Sequence, residues 1–305
     1  MQYVARHEAI PVSTLTLTDE QFLTGSADGK PSTVAGVLRV PSVDAGRLPA
    51  VILVHGSGGP GGNIDYWQQQ LNSIGIATFA LDVFTGRGIT RTIEDQTQLG
   101  RLNGIVDANR ALEAIAGRPW IDPERVVLMG FSRGGQVALY AALNRFRAMW
   151  KAGSHDFAGY IAFYAACYTQ YIDDTNVVAK PIRLFHGTAD DYVSVEPAKN
   201  YVERLRRAGK DVELIEYAGA HHAFDNPRYE RTIFLDKAQT TRNCRMIEDK
   251  PGHVVNATTG KPFTMSDPCV ELGTHVGYHA AATAAATGAV RAFLESVFSP
   301  HVLAT

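Results

Sequence analysis

Short, largely apolar runs recur along the chain and limit what it can fold into. They are Ala50–Val54, Ile76–Leu81, Arg125–Met129, Tyr160–Tyr164, Ile182–Phe185 and Val212–Tyr217. A strand with one wet face alternates apolar and polar residues, so continuous runs fit strands covered on both faces, as in a parallel sheet. Between the runs lie segments with helical spacing, at 66–73, 98–116, 134–147 and 196–208. Asp65 is placed to cap the first of these and Gly75 to stop it, and Gly209 follows the last. Repeated strand–helix units predict an α/β fold built on a doubly wound, mostly parallel sheet.

The two ends depart from this rhythm. Val12–Leu17 and Val34–Val40 flank the turn-rich segment Gly25–Gly29 and predict an N-terminal antiparallel hairpin on the sheet edge. Gly277–Phe298 carries Val290, Phe293, Leu294 and Val297 at helical spacing and predicts a terminal helix packed on the sheet. Between them, from about 225 to 276, the periodicity breaks down. The turn signals Asp249-Lys250-Pro251-Gly252 and Thr258-Thr259-Gly260-Lys261-Pro262 predict a loop or hairpin insertion. Residues 1–305 therefore read as a single domain with a late insertion.

Composition narrows the partners. A net charge of −2 with no basic stripe gives no support for nucleic-acid or anionic-membrane binding, and no apolar run is long enough for a membrane-spanning helix. The start, Met1–Glu8, lacks the apolar core of a signal peptide, so a cytoplasmic location is the default expectation. Cys167, Cys244 and Cys269 form no CxxC pair, and three free thiols is the plainer reading. The sharper alternative is a Cys244–Cys269 disulfide closing a late loop, which implies a periplasmic or secreted protein.

The chemistry centres on Val126–Ala138, where an apolar strand runs through Gly130-Phe131-Ser132-Arg133-Gly134 into an amphipathic helix. Strand, G-x-S-x-G and helix together are what an exposed nucleophilic serine on a sharp turn requires. Side chains at the two glycines would collide with neighbouring backbone, and the helix N-terminus favours developing negative charge. A serine hydroxyl needs an adjacent base, and the base a carboxylate to orient it. Both follow in chain order. Asp190 and Asp191 lie just past the strand ending at Phe185, and His221 and His222 just past the strand ending at Tyr217. Spacing alone separates neither pair. Adjacent histidines also raise a metal site, but on extended chain they point apart and no third ligand is placed. His55 and His186 also follow strands and read as structural. The glycine-rich stretch His55-Gly56-Ser57-Gly58-Gly59 can supply backbone donors to an oxyanion, with the N–H groups of Ser57 and Arg133 as candidates. It lacks the Gly-Lys-Ser/Thr of a phosphate-binding loop.

These segments, with His186-Gly187-Thr188-Ala189-Asp190-Asp191 and Gly219-Ala220-His221-His222-Ala223-Phe224, resemble the dienelactone hydrolase family of the α/β-hydrolase superfamily over roughly Pro49–Phe224. The resemblance implies an α/β-hydrolase fold without a large lid domain, selects Asp190 as the acid and His222 as the base, and needs no cofactor. It also implies that Arg87, in Val83-Phe84-Thr85-Gly86-Arg87-Gly88, can hold a substrate carboxylate; a salt bridge is the plainer use of that residue. The namesake enzymes carry cysteine where this chain has Ser132, which favours a related esterase of a small carboxylic ester or lactone. Two other functions fit less well. A prolyl-oligopeptidase-like peptidase usually has a propeller domain for which this chain has no room. A silent binding protein on the same scaffold typically lacks a triad member.

Overall fold

Residues 4–41 and 46–299 are described by a computed structural model. In chain order the elements are β1 (Val4–Thr16), α1 (Asp19–Thr24), β2 (Lys30–Pro41), β3 (Leu48–Val54), α2 (Gly62–Asn72), β4 (Ala77–Asp82), α3 (Asn103–Ala116), β5 (Ile121–Phe131), α4 (Arg133–Tyr140), α5 (Asn144–Trp150), β6 (Gly159–Phe163), β7 (Thr169–Gln170), β8 (Ile182–Gly187), α6 (Glu196–Arg207), β9 (Val212–Tyr217), β10 (Ile233–Thr240), β11 (Met246–Lys250), β12 (His253–Asn256), β13 (Glu271–Val276) and α7 (Ala280–Phe298). An eight-stranded sheet runs β1-β2-β4-β3-β5-β6-β8-β9. Its β1–β2 and β2–β4 pairs are antiparallel and all its others parallel. This is the mostly parallel α/β sheet that the apolar runs imply, in the α/β-hydrolase arrangement that the resemblance implies, with the N-terminal hairpin at the edge.

The continuous runs exist because the sheet has a core on each face. Ala50, Ile52 and Val54 of β3 join Leu128 of β5 and Ala162 of β6 under α3, α4, α5 and α6. Their neighbours Val51, Leu53, Met129 and Ile161 point the other way, against Trp67 of α2 and Val290 and Leu294 of α7. Successive residues of these central strands thus fill opposite cores, so both faces take apolar side chains.

Local differences from the sequence expectations have physical reasons. The β1–β2 connection holds the helix α1, closed by a capping box in which the Thr18 hydroxyl accepts from the Gln21 N–H and the Gln21 side chain accepts from the Thr18 N–H. Helix α2 begins at Gly62 with Gly61 as its cap, so Asp65 lies in the first turn and pairs with Arg228. The 134–147 segment is two helices. Leu143 is extended and bridges Val177, while Asn176 accepts from the Asn144 N–H and Ala142 accepts from the Val178 N–H.

The 225–276 region is more than a hairpin. Strand β10 pairs antiparallel with β13, and β11 pairs antiparallel with β12 and parallel with β7. Cys244 and Cys269 are disulfide-bonded and Cys167 is free, correcting the expectation of three free thiols. Hydrogen bonds tie the region to the loops at the carboxyl end of the sheet: Gln239 N–H to Ile93 O, Thr240 Oγ1 to Tyr192 O, and Met246 N–H to Tyr168 O. No large lid domain lies between β6 and β8 among the described residues, and no helix among them is long and apolar enough to cross a membrane.

Candidate active site

Ser132 sits between the end of β5 and the first turn of α4 with φ 56° and ψ −113°, a conformation that a side chain adopts only under constraint. The constraint comes from both sides. The Ser132 N–H donates to Phe163 O of the neighbouring strand at 2.9 Å, and Ser132 O accepts from the Gln136 N–H in the helix at 3.0 Å. The glycines permit the approach. A Cβ at Gly130 would run into the Gly134 carbonyl, and one at Gly134 would run into the Val54 carbonyl. The helix therefore packs directly onto the strand ends and holds the serine at the carboxyl edge of the sheet.

His222 reaches this serine. Its Nε2 lies 3.0 Å from Ser132 Oγ, and its Nδ1 lies 2.7 Å from Asp190 Oδ2. His222 and Asp190 are both buried, and the rings of Tyr164 and Tyr192 flank the imidazole at 4.5 and 4.8 Å. Asp190 follows β8, and its Oδ1 accepts from the Tyr192 and Val193 N–H groups at 3.0 and 2.8 Å. Burial pushes the Asp190 pKa up, but His222 and His186 beside it outweigh burial and hold the carboxyl well below the usual carboxylate range. The group is thus ionised and aimed at the ring nitrogen of His222.

The neighbours that spacing could not separate have other partners. Asp191 accepts from the His275 backbone N–H at 2.8 Å and faces His275 Nδ1 at 2.7 Å. The His221 ring lies against His275, 5.9 Å between centroids. His55 and His186 hydrogen-bond loop backbone. Nδ1 of His55 lies 2.7 Å from Gly56 O and its Nε2 accepts from the Val83 N–H, while His186 Nε2 lies 2.8 Å from Val193 O.

The glycine loop after β3 passes beside the serine, since a Cβ at Gly56 would stand 3.2 Å from Ser132 Cβ. Ser57 lines both cavities that open beside Ser132. The backbone N–H of Arg133 is the first of helix α4, where no carbonyl within the helix is available to it.

Arg87 does not face this site. All its N–H groups are committed: Nε to Thr16 Oγ1, Nη1 to Val83 O and Asp107 Oδ2, Nη2 to Leu15 O and Asp107 Oδ1. Its side chain and that of Asp107 are 3% and 0% exposed. The expected grip on a substrate carboxylate is thereby corrected to a buried, bidentate ion pair. Arg87→Ala strands a buried carboxylate and should destabilise the fold by about 3–5 kcal/mol. Urea denaturation measures the loss.

Two cavities flank Ser132. One, of about 110 Å³, is lined by apolar groups including Ile93, Phe131, Leu235 and Val276, and by His222. The other, of about 50 Å³, lies on the side of Gln96, Arg101 and Arg133 and lacks His222. Sequence reasoning missed two contributors. Tyr192 lines both cavities. Asp225, buried three residues after His222, accepts from Tyr164 Oη at 2.6 Å and Trp67 Nε1 at 2.7 Å, and burial raises its pKa. An acid directly after Ala223-Phe224 is the available signal for Asp225.

Comparison with known proteins places this geometry in context. The model of the dienelactone hydrolase family matches residues 34–297. A probable carboxylesterase SOBER1-like from Arabidopsis thaliana is 31% identical over 106 residues, 35% of this chain and 39% of that protein. Acyl-protein thioesterase 1 from Gibberella zeae is 31% identical over 125 residues, 40% of this chain and 52% of that protein. These two matches span about two fifths to one half of the relatives' lengths. Among solved structures, a dienelactone hydrolase-like promiscuous phosphotriesterase from metagenomic libraries superposes with a TM-score of 0.61 at 17% identity, over 96% of this chain and 99% of that one.

Proposed function

Since the chain belongs to the dienelactone hydrolase family, we propose that it is a serine hydrolase of small carboxylic esters or lactones, with Ser132, His222 and Asp190 as its triad. The observation that carries this reading is the continuous path from Asp190 Oδ2 through both nitrogens of His222 to Ser132 Oγ. His222 takes the Ser132 proton as the oxygen attacks the ester carbonyl, and Asp190 fixes the ring tautomer and stabilises the imidazolium. The N–H groups of Ser57 and Arg133 receive the oxyanion. His222 then protonates the departing alcohol, and a water that it activates releases the acid from the acyl-enzyme. The steps need no cofactor.

The Cys244–Cys269 bond supports an oxidising compartment as the place of action. A fluorophosphonate tests the chemistry directly. It should modify Ser132 in one-to-one ratio and abolish cleavage of benzyl butanoate; an unmodified Ser132 would sink the reading.

A further inference from the structure

Asp225 is a buried acid that the triad does not use. It is 0% exposed and lines neither cavity beside Ser132. Both its oxygens are taken: Oδ2 accepts from Trp67 Nε1 at 2.7 Å and Oδ1 from Tyr164 Oη at 2.6 Å. An indole N–H can only donate. The Tyr164 oxygen accepts from Asn63 Nδ2 at 3.4 Å, so the phenol proton is left for Asp225. Burial raises the Asp225 pKa, and the two donors hold it back by favouring the charged form. An acid in the core costs more than an apolar side chain of its size, and its partners show where it acts.

Those partners lead to the serine and the base. Tyr164 follows β6 with φ 37°, a left-handed backbone that a bulky residue adopts only under constraint. It is held at both ends. Its N–H donates to Phe185 O at 2.7 Å, and its Oη reaches Asp225. The residue before it is Phe163, whose carbonyl accepts from the Ser132 N–H. The Tyr164 ring lies against His222, 4.5 Å between centroids. The base and the acid are joined a second time along the chain, through Ala223, which also has a left-handed φ of 56°. The Asn226 N–H closes that turn on Ala223 O at 3.0 Å.

Asp190 grips His222 at Nδ1 alone. One hydrogen bond at the edge of a ring leaves the ring free to tilt about it. A tilt carries Nε2 off Ser132 Oγ, and a misplacement of about 1 Å in a reacting group costs about 100-fold. A wall against the ring face stops the tilt. Tyr164 is such a wall, and Asp225 keeps it in place. When His222 takes up the proton, the same aromatic face meets a cation, which it favours.

We propose that Asp225 and Tyr164 are a positioning pair for His222: the carboxylate pins the phenol, and the phenol ring holds the imidazole with Nε2 on Ser132 Oγ. This deepens the triad reading above and rests on it. Tyr164 also lines the larger cavity, so KM reads its part in binding and kcat its part in positioning.

The full chain is compared with Tyr164→Phe, Asp225→Asn and the double variant on benzyl butanoate. The end point of fluorophosphonate modification counts the competent sites, and kcat is taken per counted site. Tyr164→Phe keeps the ring and loses the tether; Asp225→Asn keeps the shape and loses the charge. Each should lower kcat about tenfold, the order expected for one charged hydrogen bond, with KM within about twofold. The rate of fluorophosphonate modification should fall in step, since it needs the same activated oxygen. The double variant should be within about twofold of the poorer single one, because both act through one contact. A merely structural pair lowers the number of competent sites and leaves kcat per site at the wild-type value, which overturns the proposal. Losses that multiply in the double variant, or a loss carried by KM alone, overturn it too. Should Asp225→Asn fail to fold, Tyr164→Phe decides by the same split of kcat against KM. If the wild type cleaves the ester, Ser132→Ala stops it and the variants keep full kcat per site, the hydrolase reading stands and the pair falls. If the wild type leaves the ester intact and fluorophosphonate leaves Ser132 unmodified, both readings fall.

Discussion

Ser132→Ala should lower kcat on benzyl butanoate by about a million-fold, the order found when a triad nucleophile is removed. The expectation comes from what alanine cannot do. Without Oγ there is no acyl-enzyme, and hydrolysis must wait for direct attack by water. What survives is the contribution of substrate binding and of the N–H groups of Ser57 and Arg133, about 10³–10⁴ over the uncatalysed reaction. The substitution spares the scaffold, because the backbone bonds of residue 132 to Phe163 and Gln136 involve no side chain. The variant should therefore unfold at nearly the wild-type temperature, which separates loss of chemistry from loss of fold. His222→Ala should cost about as much as Ser132→Ala, and the double variant scarcely more, since the residues act as a unit. Retention of even about a hundredth of wild-type turnover by Ser132→Ala, far above the million-fold loss expected, would remove Ser132 from the mechanism.

The chain order of that unit is legible in the sequence because each member follows the end of a strand of the sheet. Phe131, Gly187 and Tyr217 close β5, β8 and β9, and Ser132, Asp190 and His222 follow within a few residues. Parallel strands bring their carboxyl ends to one edge of the sheet, so residues far apart in sequence meet there. Spacing could not decide between Asp190 and Asp191, since adjacent side chains differ only in direction. The direction is fixed by Tyr192 and Val193, whose N–H groups turn the loop around the Asp190 carboxylate. The carboxylate role implied for Arg87 gives way to the salt bridge, here buried, because a sequence shows a charge without its partner. Asp107 lies on α3, and only folding brings the two together. The insertion reads only as a loop or hairpin because its strands pair over long distances. Strand β11 finds β7, and β10 finds β13, through register that no local periodicity encodes. Tyr192 has no signal at all; it lines both cavities only because folding brings its loop to Ser132.

Asp190→Asn should lower kcat about 10⁴-fold while leaving the fold near its native geometry. The asparagine oxygen can still accept from the Tyr192 and Val193 N–H groups, as Asp190 Oδ1 does. Its NH₂ then faces His222 Nδ1, where Asp190 Oδ2 now stands at 2.7 Å. A donor there selects the tautomer with the proton on Nε2. That proton points at Ser132 Oγ, 3.0 Å away, so the ring offers a donor where the reaction needs an acceptor. The imidazolium that would form on proton transfer also loses its counter-charge in a buried site. Asp191→Asn provides the contrast. Its side chain is 38% exposed and serves His275, so kcat should stay within about twofold of wild type, as for most surface changes. Steady-state kinetics on one ester with both variants decides the assignment. Equal losses would mean that the acidic loop acts through its charge alone, and a larger loss at Asp191 would move the orienting role to that residue.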